Sequence, residues 1–282
     1  MPELPEVETI RRGLTKLVLN KKIVRVEVLE KKSFLGRETE VENTKIIGLR
    51  RRGKALIFDL DNEKSFLVHL RMTGQMIFVG KERFAGGHPN ENFVVELPNR
   101  QTRVIFSFLD GAKMFFNDQR KFGFVKVMAT KEVEEDGFVK KLGEEPWEMT
   151  AAELGKKILK KNTCVKAALL DQTVMAGLGN IYADETLFFA KVHPTRKCAS
   201  LTKSELEKIV LGARKTMEDS LNAGGSTIKN YVKADGTKGD YLELFAKAYG
   251  REGEKCERCG EKIKKIRVAG RGTYVCERCQ KC

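Results

Sequence analysis

RVIFSFLDGAKMFF, residues 103–116, decides the fold class. Two apolar runs, 103–109 and 113–116, flank Asp110-Gly111, a dipeptide suited to the positive φ angles of a tight hairpin turn. Similar runs lie on either side: IVRVEVL (23–29), ALIFDL (55–60), SFLVHL (65–70), FVVEL (93–97) and FGFVKVM (122–128). Several alternate, and Gly, Pro, Asn or Asp separates many of them. Many short strands with no helix between them predict an antiparallel sandwich or barrel.

One helix precedes these strands. The chain opens MPELPEVETI (1–10), and Val7, Ile10, Leu14, Leu17 and Val18 recur at helical spacing. Pro5 suits the first turn, where its missing N–H costs nothing, and Glu6 and Glu8 favour the positive end of the helix dipole. The helix accounts for Pro5 but not for Pro2 or Glu3. A small second residue permits removal of Met1. Pro2 would then carry a free secondary amine with Glu3 beside it, so the start is either a helix lead-in or a nucleophile. Residues 1–131 thus read as a β-rich domain behind one helix.

Residues 132–150 are acidic, hold the only Trp, and read as a connector on which Phe138, Leu142 and Trp147 can dock. From 151 the pattern is helical: AAELGKKILKK, VKAALLDQ, NIYADETLFFAKV and SELEKIVLGARKTMEDSLN. A polar, Gly-rich stretch at 224–241 is too long for an ordinary connection. The expected division is 1–131, a connector at 132–150, a helical domain at 151–250 and a small element at 251–282.

Lys and Arg number 53 against 39 Asp and Glu, a net charge of +14 that suits a polyanionic partner. No apolar run reaches the roughly 20 residues of a membrane span, and the acidic, polar start is unlike a signal peptide. These features predict a cytosolic protein, in which disulfides are rare. Cys164 and Cys198 read as ordinary small hydrophobes. The other five cysteines crowd the last 27 residues.

That tail reads CERCGEKIKKIRVAGRGTYVCERCQKC (256–282). Cys256-x2-Cys259, sixteen residues, then Cys276-x2-Cys279 has the spacing of a four-cysteine zinc site. Cys279 and Cys282 offer a second register, disfavoured because Cys282 is terminal. KIKKIRV and TYV around AGRG predict a β-hairpin with Arg271 at its tip. Ten Lys or Arg against five Asp or Glu between 251 and 282 make it a basic element suited to phosphates.

Four further stretches carry chemistry. Arg50-Arg51-Arg52-Gly53-Lys54 places a lysine at a strand start. His69-Leu70-Arg71-Met72-Thr73-Gly74 follows a strand into a turn, and Asn117 to Gly123 puts a basic pair beside Phe122. Apolar wedges of this kind can unstack bases while Arg fills vacated hydrogen bonds. Gln172-x4-Gly177-Leu178-Gly179-Asn180 opens a helix whose N-terminus can approach a phosphate.

Taken in order, PELPEVETIRR, RRGK, HLRMTG, DxRKFG, DQxxxAGLGNIYADE, the GGST loop and VAGRGTYxCxxCQ resemble the bacterial formamidopyrimidine-DNA glycosylases from residue 2 to about 280. The resemblance implies an α+β, multidomain chain: an N-terminal helix plus antiparallel β-sandwich, a helix–two-turn–helix domain and a four-cysteine zinc β-hairpin, with DNA in the cleft between. It implies base-excision repair, in which a glycosylase that is also an abasic-site lyase removes oxidised purines from double-stranded DNA. One structural Zn2+ is implied, with no organic cofactor. The chain is expected to be a monomer in the bacterial cytoplasm, associated with the nucleoid.

Carried over by position, Pro2 is the nucleophile, Glu3 the acid/base partner, and Lys54 a support at the sugar and its phosphates. Met72, Arg120 and Phe122 fill the gap left by the flipped base, with Arg120 facing the orphaned cytosine. Lys121, Asn180 and Arg271 hold phosphates. Glu6, Ser226, Thr227 and Tyr231 belong to the lesion pocket and its closing loop. Two positions depart from the pattern. Gln119 stands where many relatives have Pro, and Asn92 where many have a phosphate-binding His, with Asn92 or His88 as substitutes. The alternatives are an endonuclease VIII-type glycosylase for oxidised pyrimidines and a non-catalytic zinc DNA-binding protein.

Overall fold

A computed structural model describes residues 1–87, 96–224 and 245–281. His88, Asn92, Ser226, Thr227, Tyr231, Cys282 and most of the FVVEL run therefore lie outside the described residues. The described residues divide into two compact units, one within 1–140 and one within 141–223 and 245–281.

The first unit begins with α1 (Leu4–Val18). Val7, Ile10, Leu14 and Val18 of α1 are fully buried in the main core, as the spacing predicts. Ten strands follow: β1 (Ile23–Val28), β2 (Phe34–Leu35), β3 (Ile46–Arg52), β4 (Ala55–Leu60), β5 (Lys64–His69), β6 (Gly74–Val79), β7 (Arg83–Gly87), β8 (Thr102–Phe108), β9 (Lys113–Asp118) and β10 (Phe124–Ala129). They form two five-stranded sheets, ordered β1-β8-β9-β6-β7 and β2-β10-β5-β4-β3. Every pairing is antiparallel except β2 with β10. The expected sandwich is present, and the β8–β9 hairpin turns at Asp110-Gly111, where Gly111 has φ 82°.

Phe58, Phe66 and Phe106 stack through the core with ring centroids 4.5 and 5.0 Å apart. The runs fail to alternate cleanly because sheet faces turned away from this core are also covered. Ala55, Ile57 and Leu67 pack outward against Val133, Val139 and Phe138. The acidic stretch 132–150 is therefore shared: its first part lines the first unit, while Trp147 donates to Glu218 at 3.1 Å in the second.

The second unit holds α2 (Ala151–Ile158), α3 (Val165–Leu170), α4 (Asn180–Ala190) and α5 (Lys203–Asn222), then the hairpin β11 (Lys264–Val268) and β12 (Arg271–Val275). Thr150 and Thr202 cap α2 and α5 through reciprocal bonds with Glu153 and Glu205. One expectation is corrected. The hairpin tip is Ala269-Gly270, both at positive φ (49° and 73°), and Arg271 is the first residue of β12. Two consecutive positive φ angles define the tightest hairpin turn, so Arg271 falls beyond it. Among the described residues, no helix is long and apolar enough to cross a membrane.

Candidate active site and zinc centre

Met1 is half-exposed, but Pro2, Glu3 and Glu6 at the head of α1 are buried. Glu6 Oε2 accepts the Glu3 N–H at 2.8 Å. Glu6, expected in a lesion pocket, is thus also the clasp that sets the backbone direction at Glu3. Lys54 is only 4 % exposed, in a two-residue turn with Gly53 between β3 and β4. Gly53 has φ 54°, a conformation that favours glycine.

The arginines before Lys54 are not a free basic patch. Arg50 pairs with Asp59 at 2.9 Å and Glu134 at 3.0 Å, and Arg51 with Glu8 at 3.2 Å. Burial alone would raise the Glu8 carboxyl. Hydrogen bonds from Arg11 and Arg12, with the charges of Arg11 and Arg51, outweigh it and bring the group down to about 2.

His69 is buried near Lys54, between the Phe124 and Phe138 rings. Its Nδ1 accepts the Arg71 N–H at 3.0 Å, so the ring is neutral with its proton on Nε2. Burial, then the charges of Arg71 and Lys54, hold it down to about 3. The unfolded chain takes up this proton near 6.5 and the folded chain only near 3. Stability is therefore complete above about 6.5 and falls as pH drops toward 3, by about 1.4 kcal/mol per unit from this group. Urea midpoints between pH 7 and 4 should fall less steeply for His69→Gln than for wild type. Equal slopes would remove His69 from the account.

Met72 lies in the turn between β5 and β6. A Cβ on Gly74 would meet Leu70 O at 2.3 Å, which explains the glycine closing HLRMTG. Arg120 and Phe122 project from the β9–β10 connection. Phe122 is 56 % exposed, and the Arg120 guanidinium sits 4.8 Å over its ring. Asp118, fully buried, shapes this loop: it accepts from the Thr73 hydroxyl, from Arg120 N–H at 3.2 Å and from Gly123 N–H at 2.7 Å. Arg120 N–H also reaches Thr73 Oγ1 at 3.0 Å, so the loops carrying Met72 and Arg120 share one network. Lys121 has φ 57° and pairs with Glu30 at 2.5 Å, a bond that a phosphate would have to replace.

In the second unit, Gln172 organises the loop before α4. Its amide donates to Leu178 O at 2.7 Å and accepts from Gly177 N–H at 3.0 Å. Asn180 Nδ2 donates to Gly272 O at 3.0 Å, tying the head of α4 to the strand that begins at Arg271. Beneath lies a wholly buried ion pair, Lys166 to Asp184 at 2.6 Å, with Lys166 also on Thr273 Oγ1 at 2.6 Å and Asp184 on Tyr274 N–H at 3.0 Å. Glu185 accepts the N–H groups of Lys247, Ala248 and Tyr249 at 2.7–2.9 Å. Spacing gave no sign of these partnerships; apart from the Lys166–Asp184 pair itself, they span 62 to 107 residues. Lys166→Met should cost about 3–5 kcal/mol by leaving Asp184 buried without its cation. A denaturation midpoint restored in Lys166→Met/Asp184→Asn would check that cause.

The sulfurs of Cys256, Cys259, Cys276 and Cys279 lie within 4.8 Å of one another. Pairs sit 3.5 and 3.9 Å apart, close to the roughly 3.8 Å that four 2.3 Å Zn–S bonds impose on a tetrahedron. The donor set fits one structural zinc with no position left for a substrate. Cys198 is buried, and burial pushes its thiol up, as suits an inert side chain.

Three family models match in order: the formamidopyrimidine-DNA glycosylase N-terminal domain at residues 1–125, its H2TH domain at 142–232, and a zinc finger found in FPG and IleRS at 253–281. A formamidopyrimidine-DNA glycosylase of Desulfitobacterium hafniense is 39 % identical over 290 residues, covering 99 % of this chain and 100 % of the relative. One of Ligilactobacillus salivarius is 41 % identical over 287 residues, covering 99 % of each. A Lactococcus lactis FPG mutant, solved with Fapy-dG-containing DNA, superposes with a TM-score of 0.87 at 34 % identity over 100 % of both chains. The same bacterium's Fpg, solved with abasic-site DNA, superposes with a TM-score of 0.87 at 34 % identity over 99 % of this chain and 100 % of that one. A β-sandwich, an H2TH domain and a zinc finger in this order are the layout of a DNA glycosylase. The chain belongs to the formamidopyrimidine-DNA glycosylase family.

Proposed function

We propose that this protein excises oxidised purines, such as 8-oxoguanine and formamidopyrimidines, from duplex DNA and then cleaves the abasic strand through Pro2. The observation that carries the reading is the Pro2-Glu3 dipeptide, buried at the head of α1 in a chain of this family. Trimming of Met1 turns the Pro2 amide into a secondary amine. An N-terminal amine has an ordinary pKa of about 7.7–8.0, far below lysine, so much of it is uncharged near neutral pH.

The Pro2 nitrogen attacks the sugar C1′, and the bond from C1′ to the damaged base breaks. Glu3 moves a proton to the ring oxygen or to the departing base. Ring opening leaves an iminium between Pro2 and C1′, cationic without further protonation because the amine is secondary. This acidifies C2′–H; loss of that proton expels the 3′ phosphate, and a second elimination expels the 5′ phosphate. Lys54 lies at the sugar and its phosphates.

The target nucleotide must leave the stack, at a cost of a few kcal/mol. Met72, Arg120 and Phe122 fill the gap, with Arg120 facing the orphaned cytosine. Lys121, Asn180 and Arg271 hold phosphates. Glu6, Ser226, Thr227 and Tyr231 contribute to the lesion pocket, and Asn92 to backbone contact. Zinc supplies a crosslink that orders the hairpin bearing Arg271. We place the protein in the bacterial cytoplasm, at the nucleoid, acting as a monomer.

The test is reductive trapping. The trimmed protein, mixed with a duplex holding one 8-oxoguanine opposite cytosine and treated with borohydride, should form an adduct that maps to Pro2. An adduct at Lys54 would overturn the assignment of the nucleophile. Intact binding with no adduct, and preference for an oxidised pyrimidine, would each overturn the reading in a different way.

A further inference from the structure

We propose that Arg51, clasped by Glu8, is a positioning residue that sets Lys54 in register with the head of α1. The inference rests on the reading of Pro2, Glu3 and Lys54 as the reacting groups.

Glu8 stands five residues after Glu3 on the same helix. Arg51 is two residues before the turn that holds Lys54. Arg51 Nε meets Glu8 Oε2 at 3.2 Å, with both side chains nearly buried, at 11 % and 12 % exposure. Its Nη1 donates to Gly53 O at 2.9 Å. One rigid guanidinium thus joins the helix capped by Glu3 to the carbonyl immediately before Lys54. A second strap runs beside it: Arg11 grips Glu8 at 2.8 and 2.9 Å and reaches Leu49 O at 3.3 Å.

The charge balance argues for geometry over stability. Arg11, Arg12 and Arg51 all converge on one carboxylate. One cation would neutralise Glu8; three crowd like charges together. A planar fork fixes two acceptors in set directions, which an ammonium cannot do. Lys54 is itself buried, so its place depends on the turn that carries it. Misplacement by about 1 Å can cost on the order of a hundredfold in rate.

The experiment compares Arg51→Met, Arg51→Lys and Glu8→Gln with wild type, all with Met1 shown absent by intact mass. Single-turnover borohydride trapping on an abasic duplex reads the chemistry. Affinity for a duplex with a tetrahydrofuran site reads binding, and a melt reads folding. Lys64→Met, which breaks a half-buried pair with Glu40 in the same unit, is the control. Trapping should slow about ten- to a hundredfold in Arg51→Met, with tetrahydrofuran affinity unchanged. Arg51→Lys should recover only part of the rate, and Glu8→Gln should slow trapping too. Equal losses of rate and affinity, full recovery with Lys, or a rate matching the control would overturn the inference. Wild type that traps while Arg51→Met equals it removes the inference alone. Wild type that traps nothing at Pro2 removes the reading beneath it as well.

Discussion

A preparation that keeps Met1 should form no borohydride adduct with an abasic duplex, while the trimmed chain from the same culture should trap it at Pro2. In the untrimmed chain the Pro2 nitrogen is a tertiary amide, whose lone pair is committed to the carbonyl. Loss should be complete, while binding to a tetrahydrofuran duplex survives. Within the trimmed chain, Glu3→Gln should lower excision of the base by on the order of 10²–10⁴, the usual worth of a positioned proton donor. Strand scission at a preformed abasic site should suffer less, because no base then needs a proton. Intact-mass analysis followed by single-turnover kinetics on both substrates checks each part. An adduct on the Met1 form would transfer the nucleophile to another amine.

Zinc removal should have the second largest effect. The four thiolates hold an element of about thirty residues whose own apolar core is small, with Ile263 and the cysteines packed near Phe188 and Ala248. Structural zinc in such elements contributes about 10–16 kcal/mol of folding free energy. A chelator strong enough to strip it, or Cys259→Ser, should unfold the hairpin while the β-sandwich stays folded. One zinc per chain should be released. Affinity for duplex DNA should fall about a hundredfold or more, because the element carries a net +5. Unchanged affinity after stoichiometric release would show that the hairpin has no part in holding DNA.

Legibility in the sequence followed the range of the interactions. α1, the β8–β9 hairpin and the cysteine spacing rest on contacts close in the chain, and each was readable. β6 and β7 were not, because glycines at positions 74, 80, 86 and 87 break their apolar pattern. Those glycines answer to neighbours elsewhere: a Cβ at Gly86 would strike Ile10 at 2.5 Å. The Arg50–Lys54 run was legible only as a lysine at a strand start, since the carboxylates that claim Arg50 and Arg51 lie 9 to 84 residues away. Gln172 was visible only as a letter in a motif; its task of folding the Gly177 loop needed coordinates. The pairing of basic residues with Phe122 was readable, but not Asp118 and Thr73 beneath that loop, since their bond joins residues 45 apart.

The burial of Pro2 also sets a clock. α1 docks on β3, β4, β6 and β7, so its resting place is complete only when residue 87 has emerged from the ribosome. At the usual 5–20 residues per second, that leaves roughly 4–17 s in which the first residues are an open tail. A peptidase that clips Met1 has free access to the bond during synthesis; afterwards Met1 stays half-exposed but Pro2, on the other side of that bond, is buried. Chains made faster than the peptidase can serve them would fold with the amide intact. They would be folded and zinc-loaded, yet without the free amine on which the proposed chemistry rests. On the proposed role of Pro2, the active fraction of a preparation would then be set largely during translation.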